Sequence, residues 1–226
     1  MSHAIRTVLF DLDGTLADTA PDLAYALNQV RHEQGLDEMP FEQIRPVVSH
    51  GGIALIRLGF QLQPEHPDFE PLRERLLQIY VDNIANQTTL FEGMETVLSQ
   101  LEQRGLLWGV VTNKPGWLTE PLMQQLGLSS RAATIVSGDT LPQRKPHPAP
   151  MLLACEQTGT RAEQCLYVGD AERDIEAGRA AGMKTMVALF GYIEADDQPQ
   201  QWGADSMIET PLSILDWLDN QTATTA

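Results

Sequence analysis

The stretch Val8–Thr19 closes a short apolar run with Asp11 and Asp13, two residues apart, and follows them with Gly14-Thr15. In an extended segment such residues point to the same side, so both carboxylates can serve one site. Further along lie Thr112-Asn113, then Arg144-Lys145-Pro146-His147-Pro148, then Gly169-Asp170-Ala171-Glu172-Arg173-Asp174. Singly, each has an ordinary role: Thr112 as a capping hydroxyl, Lys145 as a solvated charge, Asp170 as a helix N-cap. Together Asp11, Asp13, Asp170 and Asp174 make four aspartates, joined by the Thr112 hydroxyl and the Lys145 ammonium. Carboxylates clustered without cysteine or histidine partners suit a hard cation such as Mg²⁺, with the lysine and hydroxyl left for the oxygens of an anion such as phosphate.

Elements able to gather these residues follow from the apolar pattern. The first strand is Thr7–Phe10, and β-branching and apolar character place others at Leu107–Thr112, Thr134–Ser137, Leu166–Gly169 and Thr185–Leu189. Helical stripes separate them, stopping at Gly105, Gly159 and Gly182. Strand alternating with helix implies an α/β fold: a Rossmann-like parallel sheet covered on both faces, with ligands outside the carboxyl ends of the strands. Each acidic or polar group sits at such an end.

The rhythm breaks between Pro21 and Gln87, where Leu23, Leu27 and Val30, then Ile53 to Leu58, then Leu72, Leu76, Ile79 and Ile84 form helical stripes and no strand is evident. Thr19-Ala-Pro-Asp22 has the form of a capping box with proline in the first turn. The expected organisation is a core of residues 1–18 and 88–226 with a helical cap of residues 19–87 inserted after the first strand.

The 226 residues carry a formal charge of −16, from 31 acids against 15 bases, which disfavours nucleic acid and anionic membrane as partners. A small anion remains compatible, because a local cation outweighs acids spread over a screened surface. No window approaches the roughly 18 apolar residues of a membrane helix, and the N-terminal run meets Asp11 too early for a signal peptide, so a cytoplasmic protein is expected. Cys155 and Cys165 have no CxxC spacing and are expected to be reduced, structural thiols. Trp108 is expected in the core, and His147, between prolines, in a turn. No oligomeric state follows from the residues.

DLDGT, Thr112 in VVTN, Lys145 in KPHP and Asp170/Asp174 in GDAERD resemble, in order and over nearly the whole chain, the four motifs of the haloacid dehalogenase superfamily. The helical segment after the first motif, with LLWGVVTNKP and GDTLPQRKPHP, is similar to the phosphoglycolate phosphatase-like subgroup. The resemblance implies a Mg²⁺-dependent phosphatase for a small phosphorylated substrate. Asp11 would be the nucleophile that becomes an aspartyl-phosphate, and Asp13 the general acid and base. Thr112, Asn113 and Lys145 would hold the phosphoryl group. Asp11, the carbonyl of Asp13, Asp170 and Asp174 would form the metal site. Ala171 departs from the polar residue common at that place in near relatives. Dehalogenases of the superfamily lack the second acid and the transport ATPases carry threonine there, so Asp13 implies phosphate-ester chemistry.

For the rest of the substrate, Arg45, Ser49 and His50, in RPVVSHGG, are the cap residues expected to contribute, Arg45 by pairing with a substrate carboxylate. The alternative for this segment is a helix-to-helix turn at Gly51-Gly52 with a solvated His50. Phosphoglycolate leads as substrate and N-acetylmuramic acid 6-phosphate is its alternative. A phosphomutase of the β-phosphoglucomutase kind, or a non-catalytic binding protein on the same fold, would share the core residues.

Overall fold

A computed structural model describes residues 4–223. Its centre is strand β1 (Thr7–Phe10), all four residues buried. The chain then makes a short strand β2 (Ala17–Asp18) and helices α1 (Ala20–Glu33) and α2 (Phe41–Ile44), a 3₁₀ turn over Arg45–His50, and helices α3 (Gly51–Phe60) and α4 (Phe69–Asp82). It returns through β3 (Thr89–Leu90), which pairs antiparallel with β2. From there strands and helices alternate: α5 (Met94–Gln103), β4 (Leu107–Val111), α6 (Gly116–Gln125), β5 (Thr134–Val136), α7 (Ala149–Thr158), β6 (Cys165–Gly169), α8 (Glu172–Ala181), β7 (Lys184–Ala188), β8 (Ser206–Ile208) and α9 (Ser213–Ala223).

The six-stranded sheet has the order β5-β4-β1-β6-β7-β8, every pair parallel. Alternation along β1 divides the core. Val8 and Phe10 join the cluster that includes α1, α3, α4, α5 and α9, whereas Leu9 joins Met151, Cys155 and Tyr167 on the other face. Trp108 and both cysteines lie in this interior; the free thiols are 3.7 Å apart. The His147 imidazole accepts from the Ala149 N–H, as expected of a turn residue.

Two local expectations fail for a common reason. Thr19 makes no side-chain cap for α1. Its hydroxyl donates to Asp13 Oδ1 at 2.6 Å, and the buried Asp22 carboxylate accepts from the Gln87 and Thr88 N–H groups and the Thr88 hydroxyl. Tertiary partners thus take both ends of the apparent capping box. Asp22 pins the start of the helical segment to the chain returning from it. Strands β2, β3 and β8, each only two or three residues long, lack enough apolar alternation to stand out in sequence. Among the described residues no helix is long and apolar enough to cross a membrane.

Candidate active site

β1 sits where the sheet topology switches direction, between β4 and β6. Register aligns the three strand ends, Phe10 opposite both Val110 and Val168, so Asp11, Thr112 and Asp170 emerge at neighbouring levels. The Asp11 N–H donates to Val168 O, and its Oδ1 accepts from Leu12 N at 2.8 Å. Gly14, at φ +83°, turns the chain so closely that a Cβ there would lie 2.1 Å from Asp170 Oδ2, so only glycine fits.

Lys145 is fully buried beneath the carboxylates. Its ammonium lies 2.9 Å from Asp11 Oδ1 and 2.8 Å from Asp174 Oδ1, while its hydrogen bonds go to Val111 O and the Tyr167 hydroxyl. Burial raises the Tyr167 phenol well above its usual range, so it stays neutral and donates to Val111 O. Asn113, expected at the phosphoryl group, borders the cavity but commits both ends of its amide to the Lys145 backbone, accepting from N and donating to O. Asn113 therefore holds the loop that carries Lys145. The Thr112 hydroxyl accepts from Lys114 N and keeps its own proton to donate.

Asp11, Asp170 and Asp174 are all buried and present oxygens within 4.8 Å of one another. Asp170 accepts from Ser49 Oγ, Thr15 Oγ1 and Tyr192 N. Burial first, then the Asp11 and Asp174 charges, push its carboxyl up to about 7. Burial raises Asp174 too, Lys145 opposing. Asp174 Oδ2 accepts from Ala171 N, but the buried Oδ1, near Lys145 yet not aligned with it, has no hydrogen-bond partner. Three crowded carboxylates, one with an orphaned oxygen, form an all-oxygen donor set that fits a divalent hard cation. Ala171 gives α8 no side-chain cap, and Asp174 reaching back to its N–H supplies the local closure.

A pH dependence follows. The usual value for Asp170 is 3.8, so between that and about 7 the metal-free folded state holds a proton that the unfolded chain has released. Stability from this group is full below the lower value and falls as pH rises to the upper one, by on the order of 4 kcal/mol. Measured against Asp170→Asn, which cannot ionise there, metal-stripped wild type should therefore lose melting temperature between pH 5.5 and pH 7.5. Added Mg²⁺ should raise the melting temperature at pH 7.5 and do little at pH 5.5, because protons compete for the same oxygens. A wild-type minus variant difference that is flat with pH would contradict this account.

Asp13 faces the same cavity. Its Oδ1 accepts from Thr19 Oγ1 and from Lys114 Nζ at 2.7 Å, and Lys114 Nζ also donates to the Tyr80 hydroxyl of α4 at 2.9 Å. Burial depresses the Lys114 ammonium, but Asp13 and Tyr80 outweigh it and the net shift is upward. Burial holds the Tyr80 phenol at about 12. Sequence reasoning passed over both residues; only the lysine's closeness to Thr112 could have drawn attention.

The cavity measures about 410 Å³ and is bordered by Asp11, Asp13, Thr112 and four cations, Arg73, Lys114, Arg144 and Arg173. Those cations make the site locally hospitable to an anion despite the overall charge. Arg144 has no ion pair or side-chain hydrogen bond among the described residues. A larger groove of about 690 Å³, lined by Pro21, Tyr25, Phe41 and Gln87 among others, holds none of the motif residues.

The expectation for Arg45 is corrected. It does not border the cavity: its guanidinium donates to Phe190 O and Gly191 O at 3.1 Å and stacks 4.9 Å from the Tyr192 ring centroid. It ties the 3₁₀ turn to the loop whose Tyr192 N–H holds Asp170. Ser49 and His50 do border the cavity, but Ser49 donates to Asp170 and His50 pairs with Glu194 at 2.7 Å. Arg173, mostly buried, donates to Ser49 O and fastens the same turn to α8.

The family model described as haloacid dehalogenase-like hydrolase matches residues 8–188. A phosphoglycolate phosphatase of Xanthomonas campestris pv. campestris is 47% identical over 209 residues, 91% of this chain and 93% of that protein. An N-acetylmuramic acid 6-phosphate phosphatase of Pseudomonas aeruginosa is 42% identical over 215 residues, 95% of each chain. Among solved structures, one described as a predicted phosphoglycolate phosphatase from Haemophilus somnus superposes with a TM-score of 0.84 at 26% identity, covering 94% of this chain and 97% of that one.

Proposed function

The chain belongs to the haloacid dehalogenase-like hydrolases, and on that premise we propose that it is a Mg²⁺-assisted phosphatase of small phosphate monoesters, with 2-phosphoglycolate as its substrate. The observation that carries this reading is the convergence of Asp11, Asp170, Asp174 and Lys145 at the switch point, with Asp13 and Thr112 on the same cavity wall.

Asp11 Oδ1 is engaged by Leu12 N and lies beside Lys145, and no hydrogen bond among the described residues engages Oδ2, which is the oxygen to attack phosphorus. As the Asp11–phosphorus bond forms, the ester P–O bond breaks and its electron pair leaves with the alkoxide. Asp13 gives the alkoxide a proton and later takes one from the water that cleaves the aspartyl-phosphate. The Thr112 hydroxyl, with N–H groups following Asp11, steadies the transferring oxygens. Lys145 contributes as the buried counter-charge to Asp11 and Asp174. Asp11, Asp170 and Asp174, with the Asp13 carbonyl, would hold Mg²⁺, which when bound offsets the repulsion between carboxylate and phosphate. Residues 19–87 form the cap over this site, fastened through Ser49, Arg173 and Arg45.

One observation favours a second reading. A cavity of about 410 Å³ with apolar walls from Leu23, Val48, Ile53, Leu77 and Leu118 is roomy for a two-carbon acid and lies in the range of pockets that enclose larger ligands. An amino-sugar phosphate such as N-acetylmuramic acid 6-phosphate would cover more of it. In either case Arg144 takes over the role expected of Arg45, receiving the substrate carboxylate. The test compares kcat/KM for the two substrates with Mg²⁺ present, in wild type and in Arg144→Ala. Phosphoglycolate ahead by about a hundredfold supports the first reading, and the reverse order replaces it with the second. Arg144→Ala should lower kcat/KM for a carboxylated ester by about tenfold while sparing a neutral one. Equal losses on both would remove Arg144 from that role.

A further inference from the structure

One ammonium joins three parts of the molecule that are distant in sequence. Lys114, on the loop after β4, has a side chain only 6% exposed and lies 2.7 Å from Asp13 Oδ1 on the loop after β1. Its second partner is the hydroxyl of Tyr80 on α4 at 2.9 Å, and the ammonium stands 4.6 Å from that ring's centroid. Thr19 Oγ1 donates to the same Asp13 oxygen. Both donors therefore land on Oδ1, and no hydrogen bond among the described residues engages Oδ2.

This asymmetry matters for proton transfer. A carboxyl pinned through one oxygen has its plane and rotamer fixed, so the other oxygen is presented to the cavity in one orientation. A general acid is effective only when its proton lies within hydrogen-bond reach of the departing oxygen. We infer that Lys114 is a positioning residue for this step: anchored by Tyr80, its ammonium fixes Asp13 so that Oδ2 carries the proton given to the leaving alkoxide. The inference rests on the assignment of Asp13 as general acid. It also gives α4 a part in the chemistry, because the helix that supplies Tyr80 determines where the ammonium sits.

The atoms balance without a further reactant. Asp13 Oδ2–H loses its proton to the ester oxygen as that oxygen leaves phosphorus with the bonding electron pair, and Asp13 is left as a carboxylate facing Lys114. A leaving group that needs no proton, such as p-nitrophenolate, makes no demand on this arrangement.

The experiment uses full-length, Mg²⁺-loaded enzyme and kcat/KM, which reports the steps up to formation of the aspartyl-phosphate. It compares 2-phosphoglycolate with p-nitrophenyl phosphate in wild type, Lys114→Met, Tyr80→Phe and Asp13→Asn. Lys114→Met should lose about 10²-fold on the alkyl ester and less than about threefold on the aryl ester. Tyr80→Phe keeps the ring against the ammonium and removes only the hydroxyl. It should shift the ratio in the same direction by about tenfold, and it carries the test should Lys114→Met fail to fold. Asp13→Asn, selective for the alkyl ester, is the control. If Asp13→Asn loses equally on both esters, the general-acid assignment itself fails. If Asp13→Asn is selective while Lys114→Met and Tyr80→Phe lose equally on both esters, or only raise KM, the positioning role is overturned and Lys114 instead contacts substrate.

Discussion

Asp11→Asn is expected to lose at least about 10³-fold in turnover while remaining folded. The amide has the shape of the carboxylate and its oxygen can still accept from Leu12 N, so the local backbone keeps its partner. What disappears is the proposed nucleophile and one of three crowded carboxylates. Because the Asp11 charge helps push Asp170 up, its removal also relieves the buried cluster. Metal-free Asp11→Asn should accordingly melt no lower than metal-free wild type, even as phosphate release ceases. Phosphate release and thermal melting, measured on the same preparations, check both halves. Turnover within tenfold of wild type would refute Asp11 as nucleophile. A large drop in melting temperature would contradict the charge-crowding account.

The second large effect is expected at Lys145. Its ammonium is the cation within 3 Å of both Asp11 and Asp174, and all three side chains are almost wholly buried. Removing one member of a buried charge group leaves the others uncompensated, at a cost of about 3–5 kcal/mol. Lys145→Met keeps the chain's volume and removes the charge together with its hydrogen bonds to Val111 O and Tyr167, while Tyr167 can still donate to Val111 O. The variant should be destabilised by that amount in denaturant and inactive. Adding Asp174→Asn should recover part of the stability, by lowering the uncompensated charge, and none of the activity. A loss below about 1 kcal/mol for the single variant, or additive losses in the double variant, would mean that Lys145 does not hold the acids together electrostatically.

These expectations share a feature of the site: its charges are matched in depth. The carboxylates nearest the sheet meet Lys145 from below, Asp13 meets Lys114 from the side, and Arg73, Arg144 and Arg173 border the cavity. A chain of net charge −16 thereby presents cations around the cavity proposed to receive an anionic substrate. Arg73 is itself paired with Glu70 and Arg173 with Ser49 O, which leaves Arg144 as the cavity cation without such a partner among the described residues.

Much of this was legible in sequence because it depends on local rules. Strand periodicity placed β1 at its observed bounds and four further strands within one residue at each end, and strand ends in a parallel sheet are where ligands gather. The two-residue spacing of Asp11 and Asp13, and the helical turn from Asp170 to Asp174, therefore marked a candidate site in the sequence, and the fold brings Asp11, Asp170 and Asp174 together. The tertiary structure decided the partners. Lys114 meets Asp13 across 101 residues and Tyr80 across 34, a convergence with no periodic signature. Arg45 carried the right charge for a substrate carboxylate, but folding brought the carbonyls of residues 190 and 191 to it first. Thr19 and Asp22 had the spacing of a cap, yet a capping bond is worth only about 1 kcal/mol, and buried partners at Asp13, Gln87 and Thr88 displaced it. Sequence by itself determined which residues lie at the strand ends, since backbone geometry repeats every two or 3.6 residues. Only the folded chain decided which polar groups satisfy one another, since a buried donor or acceptor takes whichever partner the packing brings within reach.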